Sequence, residues 1–330
     1  MQGLMMNTPL TLAPLLERAA RLFPSKEIAS KTDSGMHRYT YADFHARVHR
    51  LAWALERMGV KRGDRVGSLC WNGHRHLELY FAVTCYGAVL HTLNLRLAAD
   101  QLAYIINHAD DRIIFSDASL ASLLEPIRQE IEGVREVVAM DDTSPYEEML
   151  AASPEGPYPW PELEETAACA TCYTSGTTGH PKGVLYTQRS VVLHSYSLCC
   201  ADVFALSERD TILQLVPMFH ANGWGIPYAA VMVGAKIVLS GRSMQAADIA
   251  HLVETERATF TAGVPTLWMA LYSYLEHEKR DISSLRSIVC AGSALPRQFV
   301  ELYEQKYGIR FMLAWGMTET TPIATVMALK

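Results

Sequence analysis

The 330-residue sequence has no block of lysines and arginines, and its formal net charge is −6 at pH 7. A negative chain without a basic stripe has no electrostatic footprint for nucleic acid. Long hydrophobic runs are also missing. The longest nearly apolar stretch, Leu79–Leu90, is interrupted by Thr84 and Gly87 and falls short of the roughly 20 residues a bilayer span needs. Met1–Leu16 has no positive segment followed by an apolar run, so no signal peptide is read. No short-period repeat or low-complexity tract occurs. Cysteine is sparse, seven residues scattered over the chain, and the odd count fits a cytoplasmic protein with reduced thiols. Charged residues are only 19% against 49% hydrophobic. That balance excludes disorder, and the length exceeds one compact core and suits two fused units.

What is present is an alternation. Thr40-Tyr41-Ala42-Asp43 resembles a capping box with Asp for Glu, followed by Phe44, Val48, Leu51, Ala52 and Leu55 at helical spacing and by Gly59 as a stop. Strands are expected at 65–70, 88–93, 112–116 and 136–140, with helices at 76–86, 99–107 and 120–131 between them. Proline-rich and acidic, 141–165 reads as a surface excursion. Further strands follow at 168–174, 184–187, 211–216, 236–240, 259–264, 286–290 and 310–314. Pro265 and Pro296 each suit a first helical position. Short apolar strands alternating with amphipathic helices give an α/β fold with mainly parallel sheets covered on both faces.

One loop concentrates polar chemistry. Tyr173-Thr174-Ser175-Gly176-Thr177-Thr178-Gly179-His180-Pro181-Lys182-Gly183 holds four aliphatic hydroxyls, three glycines and a lysine between two apolar strands. Glycines let backbone N–H groups turn toward an anion, hydroxyls add donors, and Lys182 adds a point charge. It is not a Walker A loop, which ends in Gly-Lys-Ser/Thr. The residues call for a diphosphate or triphosphate and leave the reaction open.

Three more segments stand at expected strand ends, where ligands of open α/β sheets sit. Pro217-Met218-Phe219-His220-Ala221-Asn222-Gly223-Trp224 sets one imidazole and one amide among apolar bulk; a satisfied core histidine beside a core tryptophan is the structural alternative. Ala291-Gly292-Ser293-Ala294-Leu295-Pro296 is small enough for a flat ring to approach the backbone, and equally serves as a plain strand-to-helix turn. Ala314-Trp315-Gly316-Met317-Thr318-Glu319-Thr320 offers a stacking aromatic and a hard carboxylate oxygen suited to Mg²⁺ held with phosphates.

The loop Thr174–Gly183 resembles the signature phosphate loop of the adenylate-forming superfamily of acyl-CoA synthetases, luciferases and adenylation domains. The other three segments follow in that family's order and spacing, from about Leu10 to the end. Val89–Asn94 and Ile105–Asp110 are similar to medium- and long-chain fatty acyl-CoA synthetases. The resemblance implies one AMP-binding domain over 1–330, of layered αβαβα build. Its subdomains would be 58–198, and 1–57 with 199–330. It implies ATP (or AMP), Mg²⁺ and coenzyme A as ligands, a fatty acid as substrate, and a homodimer paired through this half. By resemblance, Thr174, Ser175, Gly176, Thr177, Thr178, Gly179 and Lys182 hold phosphates. Ala221, Gly292, Ser293, Ala294, Ala314, Trp315, Gly316 and Thr318 form the nucleotide pocket. Thr174 and Glu319 hold the metal, and His220 and Trp224 border the acyl group. Catalysis then falls to Lys182, His220, Thr318 and Glu319. Relatives often carry two glycines where Ala291-Gly292 stands and tyrosine where Trp315 stands. The family also continues past the equivalent of Lys330 into a ribose-binding aspartate, a hinge and a small lid carrying a lysine. The expectation is therefore an N-terminal fragment with little or no turnover. The alternatives are a ligase for a short, sulfur-containing or aryl carboxylate, and a non-catalytic nucleotide- or acyl-binding protein.

Other features are read as structural. Cys169 and Cys172 lie in an expected strand, where i and i+3 face opposite sides. Cys199-Cys200 reads as helix packing, His74 and His76 as surface residues, and Asp110-Asp111 as the start of a turn.

Overall fold

The computed structural model describes residues 3, 5–174 and 179–328. Helix α1 (Ala13–Leu22) leads into a hairpin of β1 (Glu27–Thr32) and β2 (Gly35–Thr40), then α2 (Tyr41–Arg57). There follow β3 (Arg65–Leu69), α3 (His74–Tyr86), β4 (Val89–Thr92), α4 (Ala99–Ala109), β5 (Asp111–Asp117), α5 (Ala121–Leu124), β6 (Glu136–Met140) and α6 (Pro145–Ala151). A second hairpin, β7 (Ala168–Thr174) and β8 (Lys182–Thr187), precedes α7 (Gln188–Cys199), β9 (Thr211–Gln214), α8 (Ile226–Val233) and β10 (Lys236–Leu239). The chain continues through α9 (Ala246–Glu256), β11 (Phe260–Gly263), α10 (Pro265–His277), β12 (Ser287–Cys290), α11 (Arg297–Tyr307), β13 (Arg310–Gly316) and β14 (Ile323–Ala328).

The strands form two sheets. One has the order β14-β13-β12-β11-β9-β10-β1-β2, the other β6-β5-β3-β4-β7-β8. Interior pairs are parallel, while β1–β2, β13–β14 and β7–β8 are antiparallel edge pairs. Parallel strands need both faces covered, and α3 does this for both sheets at once. It packs on β1 of the larger sheet and on β3, β4 and β7 of the smaller. Every residue of α3 except Arg75 is buried, as expected of a helix with a sheet on either side. Phe81, Leu79, Val83 and Tyr80 of this helix join the main core with Phe44, Leu51, Tyr228 and Ile237. Among the described residues no helix is long and apolar enough to cross a membrane.

Local signals explain most boundaries. The capping box forms: Asp43 N–H donates to Thr40 Oγ1 (3.2 Å) and Thr40 N–H to Asp43 Oδ2 (2.9 Å), worth about 1 kcal/mol. Gly87 ends α3 and Asp110 ends α4, both left-handed. Pro265 opens α10 as its first residue, whereas Pro296 is the cap one position before α11.

Several expectations fail. The helix over 120–131 is reduced to one short turn flanked by 3₁₀ turns, because Pro126 removes an amide donor. The excursion at 141–165 is partly internal: α6 buries Tyr146 and Leu150 against α2, and Tyr158 is buried too. His74 and His76 are buried at the start of α3, where His76 bonds Ser68 Oγ and the Trp71 carbonyl. Asp111 begins β5 and is fully buried against His91 Nδ1 at 2.8 Å.

Candidate active site

The four polar segments each follow or close a strand at its carboxyl end: β7, β9, β12 and β13. Hydrogen bonds tie three of them together. On β7, the Cys172 thiol donates to Asn222 Oδ1 (3.1 Å). On β8, the Tyr186 hydroxyl donates to the Thr318 carbonyl (2.7 Å). On α7, His194 Nε2 accepts from Ile323 N–H (3.2 Å) and its Nδ1 faces Gly225. The fourth segment adjoins through strand pairing, since Cys290 lies opposite Leu313.

The phosphate-loop stems are defined by the β7–β8 pairing, which sets Thr174 opposite Lys182. Lys182 and Gly179 are exposed, and Thr174 is half-buried. Ser175, Gly176, Thr177 and Thr178 lie outside the described residues.

The segment after β9 has unusual backbone. Ala221, Asn222, Gly223, Trp224 and Gly225 all have positive φ, between 43° and 69°. Three of the five are not glycine, and each such residue costs roughly 1–3 kcal/mol. The core holds the strained turn in place. Trp224 is 7% exposed. Gln214 Nε2 donates to the carbonyls of Val216 (2.7 Å) and Gly223 (3.3 Å). Asn72, between β3 and α3, donates to the Gln214 and Val216 carbonyls and accepts from Met218 N–H. The Asn222 amide nitrogen is a buried donor with no partner among the described residues. Ala221 is buried with it. His220 stands exposed at the rim; crowding by the protein, then the Arg96 guanidinium, holds its pKa below the ordinary value.

The segments after β12 and at the end of β13 are open. Gly292, Ser293 and Ala294 are exposed, with Gly292 left-handed at φ +93°. Trp315 is 56% exposed, Ala314 and Gly316 are half-buried, and Glu319 is exposed. A side chain at Gly316 would run into the Pro322 carbonyl just before β14, so this position requires glycine. Thr318 is 9% exposed, its backbone fixed by Tyr186. Among the described residues, neither Lys182 nor Glu319 is in an ion pair. An open indole face, a free ammonium and a free carboxylate at one end of the strands suit a purine ring, phosphates and a divalent ion.

Sequence reasoning missed Asn72, Gln214, Tyr186, His194 and Arg96. Asn72 soon after β3, Arg96 soon after β4 and Gln214 at the end of β9 stand where the strand-end rule points, whereas Tyr186 and His194 do not. His194 looks like any helical histidine until the fold sets it between Gly225 and Ile323. Its burial pushes its pKa down to about 4, so it is neutral and keeps the lone pair that Ile323 N–H needs.

A second cluster has the spacing of a metal centre, and its hydrogen bonds account for it without one. Glu17, His45 and His49 bring their ligand atoms within 4.8 Å of one another. Yet His49 Nδ1 accepts the Tyr158 N–H (2.7 Å), which places its proton on Nε2, the atom facing Glu17 (3.1 Å). Burial opposes ionisation of Glu17, but bonds from His45, His49 and Trp160 prevail and hold its carboxyl well below the usual range. The cluster is a carboxylate bracketed by N–H donors. Cys169 and Cys172 are likewise buried and unpaired, with the Cys172 thiol pushed up to about 11 by burial.

Comparison with known proteins gives concordant matches. The family model described as AMP-binding enzyme matches residues 16–330. A long-chain-fatty-acid–CoA ligase from Thermus thermophilus is 46% identical over 325 residues, covering 97% of this chain and 59% of that protein. A 3-methylmercaptopropionyl-CoA ligase from Ruegeria lacuscaerulensis is 39% identical over 337 residues, 98% of this chain and 62% of that one. The chain thus spans about three fifths of the length of these relatives. Among solved structures, the inhibitor-bound N-terminal domain of FACL13 from Mycobacterium tuberculosis superposes with a TM-score of 0.88 at 25% identity, over 96% of this chain and 78% of that one.

Proposed function

The chain belongs to the AMP-binding enzyme family, and from that premise we propose that it serves an acid–CoA ligase acting on medium- to long-chain fatty acids. The carrying observation is the bonded assembly of three strand ends: Cys172 to Asn222, Tyr186 to Thr318, and His194 between Gly225 and Ile323. It sets the β7–β8 hairpin between a buried apolar turn and an open indole face, which supports reading its loop as the phosphate site.

In this reading a fatty carboxylate oxygen attacks the α-phosphorus of ATP. The bond between Pα and the bridging oxygen breaks, pyrophosphate leaves with that electron pair, and acyl-AMP remains. The thiolate of coenzyme A then attacks the acyl carbon and AMP departs. Little covalent chemistry is asked of the protein, which must align reactants and neutralise charge. Lys182 and Thr174, with Ser175, Gly176, Thr177, Thr178 and Gly179, take the phosphates. Trp315 stacks on adenine against the wall of Gly292, Ser293 and Ala294, bordered by Ala221, Ala314 and Gly316. Thr318 contacts the α-phosphate, and Trp224 borders the acyl chain. A neutral His220 at the rim receives the carboxylate end without a competing charge. Glu319 and Thr174 would hold Mg²⁺, which when bound supplies charge neutralisation for the phosphates.

All seven cysteines are unpaired, which supports a reducing, cytoplasmic setting. By resemblance the protein pairs as a homodimer, a point light scattering decides. The identity to a ligase for a sulfur-containing acid favours one second reading, a shorter thioether carboxylate as substrate.

Calorimetric titration with non-hydrolysable acyl-AMP analogues of increasing length tests the proposal. Each added methylene should tighten binding about fourfold, from roughly 0.8 kcal/mol of burial per CH₂. Affinity peaking at a short thioether acyl group selects the second reading. Equal affinity for every acyl group and for AMP alone defeats both.

A further inference from the structure

Five rings run in sequence from the core of the smaller sheet to the stem of the phosphate loop. His91, paired with buried Asp111, lies 5.0 Å from the Tyr173 ring. The Tyr173 hydroxyl bonds His108 Nδ1 at 2.7 Å. His108 stacks on Tyr104 (5.4 Å between centroids, 29°), and Tyr104 stacks on His180 (4.6 Å, 23°). Tyr173 belongs to the strand entering the loop, and His180 to the arm leaving it. Tyr104 and His108 sit four apart on α4, on one helix face. The Tyr173 ring also lies against Gly183, where an added Cβ would come within 3.0 Å of it.

Both arms of the loop therefore rest on α4, through contacts that add to the β7–β8 pairing of Thr174 with Lys182. His180 is exposed and carries no hydrogen bond among the described residues, so its stack on half-buried Tyr104 is what fixes its ring. Two residues on from it stands Lys182, the cation assigned to the phosphates.

We propose that Tyr104 is a positioning residue for phosphate binding. Its ring docks the His180 arm and thereby sets Lys182 and the backbone N–H groups of that arm toward the β- and γ-phosphates. The proposal rests on reading 174–183 as the phosphate loop. Aromatic pairs contribute a fraction of a kcal/mol to somewhat more than one beyond area burial, so the expected effect is modest and specific to the outer phosphates.

The experiment uses the unaltered chain, Tyr104→Phe and Tyr104→Leu. The His180 imidazole resonances are recorded without nucleotide, and the affinities for ATP with Mg²⁺ and for AMP are measured by calorimetry. Stacking predicts His180 protons displaced upfield by ring current in the unaltered chain and in Tyr104→Phe, and returned to the free-histidine position in Tyr104→Leu. Tyr104→Leu should weaken ATP about fivefold and leave AMP unchanged, while Tyr104→Phe leaves both unchanged. Undisplaced His180 resonances in the unaltered chain overturn the docking. An equal loss of ATP and AMP in Tyr104→Leu reduces Tyr104 to a structural role and also overturns it. If the unaltered chain binds neither nucleotide, the functional reading fails and the positioning role with it, whatever the His180 resonances show.

Discussion

The two sides of the candidate site are built by opposite means. On the side proposed for the acyl group, five consecutive left-handed residues are locked in the core by Trp224, Gln214, Asn72, Cys172 and His194. On the side proposed for the nucleotide, Gly292–Ala294 and Trp315 stand open, with few bonds beyond the Tyr186–Thr318 link. The difference teaches where specificity can be written. A buried turn fixes shape through backbone strain supported by packing, and an exposed face holds a flat ring by stacking without shaping the core.

The two tryptophans test this contrast most severely. Trp224→Ala should cost about 3–5 kcal/mol of stability, the range for truncating a buried aromatic, read as a lower urea midpoint. Trp315→Ala should change stability by less than about 1 kcal/mol and instead weaken nucleotide binding. Equal effects on stability would erase the contrast.

Acid should loosen the fold through its buried imidazoles, among them His194 beside the left-handed turn and His76 at the start of α3, both with a pKa held at about 4 by burial. His194 has a folded pKa of about 4, below the usual value near 6.5 for an open imidazole. The unfolded chain therefore binds the proton more readily. Stability from this group is complete above about pH 6.5 and lost progressively as pH falls through 4, up to roughly 3 kcal/mol. Asp117, raised by burial to about 6, works in the opposite sense over pH 4–6, so the difference between variants is the informative quantity. His194→Gln retains an acceptor for Ile323 N–H and removes the titration. Urea midpoints at pH 7 and pH 4.5 should converge for this variant relative to the parent. An unchanged pH slope would show that His194 does not carry the effect.

The finest comparison is between two left-handed glycines. At Gly225 an added Cβ would meet His194 Nδ1 at 2.5 Å, and at Gly292 it would meet Val264 Cγ1 at 3.3 Å. Both alanine variants incur left-handed strain, about 1–2 kcal/mol. Gly225→Ala additionally displaces His194 from Ile323, for a total of roughly 2–3 kcal/mol. Thermal melts of the two single variants measure the gap.

The parallel strands were legible because each is a local pattern, and so was the hairpin whose strands flank the loop proposed to hold phosphates. Glu136–Met140 and Ala168–Thr174 fall where alternation places them. The β1–β2 hairpin was not, since its strands EIASKT and GMHRYT mix polar with apolar and are held by β10, some two hundred residues on. The burial of His74 and His76 was hidden for a related reason. Polar side chains at the start of α3 are internal only because a sheet lies on each side. Within the site, the residue types at His220, Trp224 and Trp315 could be read. The left-handed run could not, because only Gly223 and Gly225 among its five residues announce positive φ.

Helix α3 also fixes an order of events at birth. Its larger-sheet neighbour β1 gains a parallel partner only when β10 appears, at Lys236–Leu239. From the end of α3 at Tyr86 to Lys236 is 236 − 86 = 150 residues, roughly eight to thirty seconds of translation at 5–20 residues per second. Throughout that interval one apolar side of the helix, and the β1–β2 hairpin beside it, must wait on the ribosome without the sheet that will shelter them. The larger sheet can close on β1 only once β10 arrives.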